Sequence, residues 1–416
     1  MWLLALMILI MPFEASPYLY IAPNFLGVFP DFTVIKLLGL VGFAWAMMRL
    51  ASGHPHGALL GSRLASLFLL FFFGVLFAGL VSGSGFLAIS RYLAFLTFLP
   101  FVLMSVQTQQ DLGRVLRAMA LSLLIVFPYA LRQMIRFNDR LGVGLYETNY
   151  FATILVLVIP LAFVFAAQAT VPSRRWLWTS AGLLLGLELF LTSSRGGFLG
   201  LLVAGVVFLY RRRGLAGAVG VMAIMLLGLI IVPTDLGSRM WTVFETETAA
   251  PAGLEASNKA HTALFFAALR MIADNPIFGV GPLNFKSLST LYTGLEQGNI
   301  AHNSFLEVAA EFGIPVFVVF VMLIFAAFHI LNRATRLGAS PEGRDLAGWA
   351  EGLRSGLIGF LVAGFFISAQ YEKMLWLAVF VTIVLGRFAA EVRAAELAAP
   401  AGDDGLVLAP VPEPSR

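Results

Sequence analysis

Two arginines and a histidine in the C-terminal half of the sequence are the residues best suited to chemistry. They are Arg195 in TSSRGGFLG, Arg270 in ALRMIADNP and His302 in AHNSFLEVAAEF. An arginine guanidinium binds two phosphate oxygens at once and keeps its charge, whereas a histidine can accept a hydroxyl proton near neutral pH. Together they suit a reaction in which an alcohol attacks and a phosphate or diphosphate leaves, with arginines stabilising the departing charge.

The residues that follow the histidine have helical spacing. At about 100° per residue, Asn303, Glu307 and Glu311 share one face of a helix, and His302 lies at its edge. The GIP sequence that comes next should break this helix before a membrane span begins. We therefore predict a short helix at the membrane surface whose polar face lines the rim of a cavity, with Asn303 and Glu311 among the substrate-binding residues.

Each of these assignments has a simpler structural alternative. Arg195 could extend from a helix end to the aqueous surface, and Arg270 could stabilise the C-terminal end of its helix by about 0.3–1 kcal/mol. Asn303 could cap the next helix, with His302 serving only the local fold. We favour function for Arg195, because two glycines follow it and an ionisable group at the interior rim of a bundle is usually functional.

A second basic stretch lies in the N-terminal half. Arg132, Arg136 and Arg140 recur every fourth residue near the outer end of a predicted helix. Such a stripe could bind phosphates or acidic sugars, although it could equally be a solvated helix face. We include Arg136 among the candidate substrate-binding residues. The sequence has no compact Asp-x-Asp or histidine-rich cluster, so we predict neither a metal nor a cofactor.

The elements that must position these residues are membrane helices. Of the 416 residues, 59% are hydrophobic and 12% are charged, and the mean hydropathy is +0.89. A soluble globular protein would need more polar surface than this. The absence of cysteine excludes disulfides, thiolate catalysis and cysteine-ligated metal. We predict an all-α polytopic membrane protein with about twelve spans, near residues 1–12, 33–50, 64–82, 86–106, 112–131, 148–168, 176–193, 196–210, 215–232, 315–331, 355–370 and 374–390.

Arginines concentrate in alternate loops between these spans, including the run 211–213. The positive-inside rule places those loops in the cytoplasm. The other side receives one long connection, residues 233–302, which contains an amphipathic helical pattern that stops at Asp274-Asn275-Pro276. We expect this connection to be a folded lid. The predicted organisation is about nine spans in residues 1–232, the lid in 233–302, a surface helix and about three spans in 303–390, and a disordered cytoplasmic tail in 391–416.

Three segments resemble the successive signature segments of the O-antigen ligase/O-antigen polymerase superfamily in sequence, order and spacing. They are TSSRGGFLGLLVAG, ALRMIADNPIFGVGPLNF and AHNSFLEVAAEFGIPVFVVFVMLI. The resemblance is strongest over residues 145–330, and the N-terminal spans are similar in hydropathy alone. It implies a GT-C-like helical bundle that works as a metal-independent, inverting glycosyltransferase in the bacterial inner membrane, with its active site facing the periplasm.

The resemblance also implies substrates and roles. The donor would be a glycan linked to undecaprenyl diphosphate, and the acceptor a hydroxyl of another glycan or of lipid A–core, with no nucleic acid involved. Arg195 and Arg270 would bind the diphosphate, His302 would activate or position the acceptor hydroxyl, and Glu311 would support the site. Ligases and polymerases share these residues, so the choice between them stays open, as does the identity of the sugar.

A membrane transporter of a small anion or solute is the main alternative, because it would use the same intramembrane charges. A transporter built from inverted repeats should show a broken helix in each half. The sequence has a Gly/Pro break at 313–315 and no convincing counterpart in its N-terminal half. A large lid also suits a sequestered reaction better than alternating access. We therefore favour an enzyme, and a purely structural scaffold is the weakest reading.

Overall fold

A computed structural model describes residues 1–14, 19–22, 32–84, 86–137, 139–143, 148–231, 252–338 and 340–398. These residues are almost entirely helical, with two short 3-10 turns, Met11–Phe13 and Pro55–Gly61. Strands β1 (Tyr20–Ala22) and β2 (Phe32–Thr33) form one small antiparallel pair. The α-helices are α1 (Trp2–Ile10), α2 (Val34–Ala51), α3 (Arg63–Val81), α4 (Phe86–Ser105), α5 (Gln109–Phe137), α6 (Thr148–Gln168), α7 (Pro172–Leu191), α8 (Arg195–Ile231), α9 (Ala252–Asp274), α10 (Asn284–Thr293), α11 (Ser304–Ala334), α12 (Pro341–Ala363) and α13 (Lys373–Ala398).

Seven helices of the described part are long and apolar enough to cross a membrane, namely α2, α3, α5, α6, α8, α11 and α13. Shorter apolar helical stretches cover Trp2–Phe13 and Tyr92–Ser105. Helix α8 contains a non-helical residue, Gly214, with φ of 58°, which divides it into the two segments predicted at 196–210 and 215–232. The predicted fold class, an all-α polytopic membrane protein, is confirmed.

Two predicted boundaries differ from the structure, and the first helix is short. The span predicted at 355–370 is helix α12, which begins at Pro341 because Ser340 caps it by accepting a hydrogen bond from the Gly343 amide. Helix α13 continues to Ala398, past the predicted start of a disordered tail at residue 391. Helix α1 has nine residues, which cover about 14 Å of a hydrocarbon layer of about 30 Å.

The described helices pack around α6 and α13, whose apolar windows are the most buried, at 83% and 72%. Helices α8 and α12 approach closely at Gly200 and Gly359, which have no side chains. A Cβ built on Gly200 would lie only 2.6 Å from the Gly359 carbonyl oxygen. A cluster of aromatic rings joins α3, α4 and α13, including Phe71 stacked on Trp376 at 5.5 Å. The Trp376 indole donates a hydrogen bond to the Gln370 carbonyl at 2.9 Å, which joins this cluster to the turn between α12 and α13, residues 364–372 (the 364–372 turn).

The described part of the predicted lid, residues 252–302, is folded. Helices α9 and α10 pack against the start of α11 through a small hydrophobic cluster separate from the main core. The first part of the predicted lid, residues 233–251, lies outside the described residues. The cluster contains Leu264, Ala268, Met271, Val280, Phe285, Ala301 and Ala310.

Candidate active site

Helix α11 is broken one third of the way along, and the lid loop formed by residues 276–281 packs against the break. Gly313 has φ of 81°, and a Cβ at this position would meet the Ile277 carbonyl oxygen at 2.2 Å. Only glycine fits such a conformation and such a close backbone approach. Three backbone hydrogen bonds of 2.8 Å join residues 276–281 to residues 310–314. The lid is therefore attached directly to the predicted site helix.

The N-terminal end of α11 is held by a cap and by the 364–372 turn. The Asn303 side-chain oxygen accepts hydrogen bonds from the amides of Phe305 and Leu306, both at 3.0 Å. The Ser304 amide donates to the Gly364 carbonyl at 2.8 Å, and the Ser304 hydroxyl donates to the 364–372 turn at 2.8 Å. Asn303 thus has the capping role of the simpler alternative, and its role in substrate binding stays a prediction.

Glu307 and Glu311 are buried, at 2% and 1% exposure, and do not line an open rim as we expected. Glu307 accepts hydrogen bonds from the Ala301 amide at 2.8 Å, from the Gln370 side chain at 2.9 Å and from the Ser368 hydroxyl. A buried carboxylate is tolerated when several donors satisfy it. This carboxylate therefore joins the residue before His302 to the 364–372 turn.

Glu311 joins the lid to the same turn. Its carboxylate accepts hydrogen bonds from the Phe285 amide at the start of α10, at 3.3 Å, and from the Tyr371 hydroxyl. Burial and the nearby Glu311 charge raise the pKa of Tyr371 well above its ordinary value, so the phenol stays protonated and donates. The supporting role expected for Glu311 has this geometry, although its part in any reaction stays a prediction.

His302 adopts an uncommon backbone conformation, with φ of 51°. Its ring packs against the ring of His261 on α9, with centroids 4.3 Å apart and an angle of 47° between the ring planes. Its Nδ1 atom is buried without a hydrogen-bond partner in the described part of the chain. Burial and the His261 charge lower the pKa of His302 to about 4, so the ring is neutral at neutral pH.

Arg195 is the first residue of α8 and is half-buried. The Ser194 hydroxyl holds the turn before it, donating to the Asn149 side chain at 2.8 Å and accepting from the Gly197 amide at 3.2 Å. A Cβ built on Gly196 would lie 2.9 Å from Cβ of Phe366, in the 364–372 turn. Residues close in sequence to Arg195 and His302, namely Gly196 and Ser304, therefore both contact this turn.

Arg270 lies away from His302. It is exposed, and its Nη1 donates to the Tyr292 carbonyl on α10 at 3.4 Å. The Tyr292 hydroxyl donates back to Asp274 on α9 at 2.9 Å. Nine residues at about 100° each separate Arg270 from His261, so the two side chains leave α9 in opposite directions. The structure gives Arg270 a role in joining α9 to α10, and its predicted contact with a diphosphate stays a prediction.

Arg136 belongs to a different cleft, of about 390 Å³, between the end of α5 and the residues after α1. Arg132 and Tyr129 line it from α5, and Phe13 from the residues after α1. The cleft shares no lining residue with the surroundings of His302. The structure does not bring Arg136 to the other candidates, and its role stays a prediction.

Sequence reasoning missed His261, Ser368, Gln370 and Tyr371. His261 had a weak signal, because it shares a helix face with Leu264 and Ala268, which are buried. The other three lie in the polar run SAQYEK between two apolar segments. This signal was overlooked because the span predicted at 355–370 includes the first part of the run. In the described ranges, no three His, Asp or Glu side chains could together hold a metal ion, and the prediction of a metal-independent site stays a prediction.

Comparison with protein families matches residues 180–321 to the model described as O-antigen ligase. This part of the chain is similar to the O-antigen ligase family. The search of curated proteins gave no match to the chain. The O-antigen ligase segment contains Arg195, Arg270, His302 and Glu311, together with His261, and it ends before the 364–372 turn.

Proposed function

We propose that this multi-pass membrane protein is a glycosyltransferase of the O-antigen ligase type. It would move a glycan from undecaprenyl diphosphate to an acceptor hydroxyl, of lipid A–core or of another glycan, at the periplasmic face of the bacterial inner membrane. The observation that carries this proposal is that Gly196 and Ser304, close in sequence to Arg195 and His302, contact the same 364–372 turn. Arg195 and His302 both lie in the O-antigen ligase segment.

Arg195 is the residue we assign to the donor diphosphate. Its guanidinium is half-buried, and no hydrogen bond or ion pair to it is found among the described residues. A cation held in that way is a ready site for an anion, because a bidentate phosphate would satisfy its donors. The same charge would stabilise the diphosphate as it leaves, a role that a metal ion has in other transferases.

His302 is the residue we assign to the acceptor. A neutral imidazole can take the hydroxyl proton while the acceptor oxygen forms its bond to the anomeric carbon. The bond from that carbon to the diphosphate oxygen breaks in the same displacement, and the electron pair leaves with the phosphate. Attack from the side opposite the leaving group inverts the anomeric configuration. The unpartnered, buried Nδ1 atom of His302 supports a site that is completed by a further polar group.

The two buried glutamates are positioning residues in this proposal. Their carboxylates are occupied by donors from the lid and from the 364–372 turn, so neither is free to act as the base. They keep the backbone before His302 and the start of α10 in place. Arg270, Asn303 and Arg136 stay predicted substrate-binding residues, and Arg270 would have to meet the diphosphate on the outer side of α9.

The distribution of arginines supports the orientation. Arg211 and Arg212, just before the break in α8 at Gly214, contact Thr335 at the C-terminal end of α11 and Glu351 of α12. Arg354 of α12 contacts Asn332 near that same end of α11. By the positive-inside rule that end would face the cytoplasm. The end with His302 and the lid would then face the periplasm, where a lipid-linked glycan and its acceptor can meet.

The experiment compares lipid-linked and surface glycans on gels from a host that lacks this gene. The host is complemented with the wild type, with His302→Ala or with His329→Ala, which changes an exposed histidine near the other end of α11. Single lipid-linked repeats without long polymer indicate a polymerase, and full-length polymer left on the lipid indicates a ligase. A glycan profile that is unchanged by deletion and by His302→Ala rejects glycosyl transfer and returns transport to consideration.

A further inference from the structure

The outer face of the lid helix α9 is apolar. Leu264, Ala268 and Met271 on its inner face are fully buried in the lid cluster. On the opposite side Phe265, Phe266 and Leu269 are 44%, 53% and 41% exposed. The side chains of these last three residues point within about 100° of one another. A helix that is apolar on both sides needs a second apolar environment.

We propose that the outer face of α9, formed by Phe265, Phe266 and Leu269, lies in the outer boundary of the lipid bilayer and anchors the lid to the membrane. Exposed aromatic and leucine side chains on one helix face are typical of helices that lie in the membrane interface. A contiguous apolar patch on a surface in contact with water would be unusual.

The loop after α9 connects this face to the lipid-facing surface of the spans. Ile277 and Phe278 are 59% and 39% exposed. The Phe278 ring packs edge-on against Phe77 of α3, with centroids 5.5 Å apart. Phe77 is 54% exposed near the end of an apolar membrane helix, so it faces lipid. The lid's apolar surface therefore continues from a surface that already borders the membrane.

The loop after α9 also lies beside a lipid-facing part of α11. The Ile314 amide donates to the Pro276 carbonyl at 2.8 Å, which places the loop beside the break in α11. Ile314 and Val318, just after the break, are 45% and 48% exposed on that apolar helix. Lid and spans thus present apolar side chains side by side at one level of the bundle.

The charge at the edge of the face also fits a membrane boundary. Arg270 follows Phe266 by four residues, so the two side chains lie on neighbouring parts of α9. Arg270 is exposed, and an arginine beside an aromatic side chain that enters the membrane can extend to the lipid phosphates. In this arrangement the aromatic side chains enter the acyl region and Arg270 stays at the phosphate level.

The chain has no cysteine, so single-cysteine variants test the proposal without further changes. A nitroxide label is placed at Phe266→Cys, and separately at Leu269→Cys, in protein reconstituted into vesicles of phosphatidylethanolamine and phosphatidylglycerol. Its collision rates with oxygen, which concentrates in lipid, and with a water-soluble nickel chelate are measured by electron paramagnetic resonance. Phe325→Cys on α11, where Phe325 is 69% exposed, is the lipid control, and Gln297→Cys in the exposed loop after α10 is the water control.

The proposal expects labels at 266 and 269 to collide several-fold more with oxygen than with the nickel chelate, as at Phe325. Collision rates like those at Gln297 would place the face in water and overturn the proposal. Protection from both reagents would mean that protein covers the face, either another part of this chain or a second copy, and would also overturn it. Because the measurement needs no turnover, its result is independent of the proposed glycosyl transfer.

Discussion

The imidazole of His302 packs on the imidazole of His261, with ring centroids 4.3 Å apart. One ring stands at the start of a membrane helix and the other on the lid helix α9. Protonating both of two imidazoles this close costs free energy, because their charges would repel in a partly buried site. Burial keeps His302 neutral, the nearby His261 adds to this effect, and the ring contact ties the orientation of His302 to the position of the lid.

The pH dependence of transfer should show this directly. Burial and the His261 charge lower the pKa of His302 from 6.5 to about 4. In the proposed mechanism the neutral ring accepts a proton, so kcat/KM should stay level as the pH falls from 7 to about 5 and decline only near the folded pKa. If the proton acceptor were a histidine with an ordinary pKa, kcat/KM would fall to half its maximum at about pH 6.5. The measurement is kcat/KM against pH with a lipid-linked donor in liposomes.

Replacing His261 should move this decline. His261→Phe keeps an aromatic ring against His302 and leaves burial, the larger cause of its lowered pKa, in place. It removes the smaller contribution of the His261 charge, so the acid decline should begin at a modestly higher pH. His329→Phe, at an exposed histidine outside the lid, should leave the profile unchanged. An acid limb that does not move in His261→Phe would show that His261 does not act on the charge of His302.

Stability should depend on pH in the same direction. The unfolded chain binds a proton on His302 below about pH 6.5, whereas the folded site does so only near pH 4. The stabilisation is therefore complete above about pH 6.5 and is lost as the pH falls from there to 4. His302→Gln, which cannot titrate, should lose less stability over this range than the wild type. Thermal unfolding followed by tryptophan fluorescence between pH 4 and 7 checks the difference.

Arg195 and Arg270 should behave differently when replaced. We expect Arg195→Ala to lower transfer by about 10²–10³-fold, because a half-buried cation would no longer stabilise the leaving diphosphate. Arg195→Lys should recover little, since lysine lacks the planar fork. If Arg270 also binds the diphosphate, Arg270→Ala should raise KM for the donor without loss of stability. Lower thermal stability with an unchanged KM would mean that Arg270 serves only its contact with the Tyr292 carbonyl.

The sequence was informative where the signal was local. The Gly-x-Pro pattern at 313–315 predicts the break in α11, and the spacing of Asn303, Glu307 and Glu311 predicts their common face. Helix breaks and helix faces depend on residues within a few turns, so the local sequence is sufficient to predict them. The matched family segment, 180–321, lies within the region of strongest resemblance.

The partners of those residues could not be predicted, because they are distant in sequence. Glu307 and Glu311 bind donors about 60 residues later, and His302 meets a ring 41 residues earlier. Such pairs depend on how three helices and a lid pack, and no periodicity encodes that. The start of α12 was missed for another reason, since its first half carries charged residues such as Arg344 and Asp345, which lower its hydropathy below that of a span.

Removing the Tyr371 hydroxyl should destabilise the protein through Glu311. Tyr371→Phe leaves the buried carboxylate without one of its donors, and an unsatisfied buried polar group costs about 1–3 kcal/mol. Glu311→Gln in the Tyr371→Phe background should recover part of the loss, because a neutral amide is easier to bury than a carboxylate. The apparent Tm of the wild type, of Tyr371→Phe and of the double variant in one detergent measures both effects. Equal Tm values in wild type and Tyr371→Phe would show that this hydrogen bond contributes nothing.

The break in α11 should tolerate no side chain. Gly313→Ala places a methyl group 2.2 Å from the Ile277 carbonyl oxygen. It also forces a residue with a side chain to adopt a φ of 81°. Gly294→Ala is the matched control, because Gly294 has a similar φ of 70° and no atom within 4 Å of an added Cβ. The control should lose only the strain of a positive φ, about 1–2 kcal/mol. Gly313→Ala should lose more and detach the lid loop from α11, exposing residues 276–281 to faster amide hydrogen exchange. Equal exchange in both variants would mean that the close approach at Gly313 does not hold the lid.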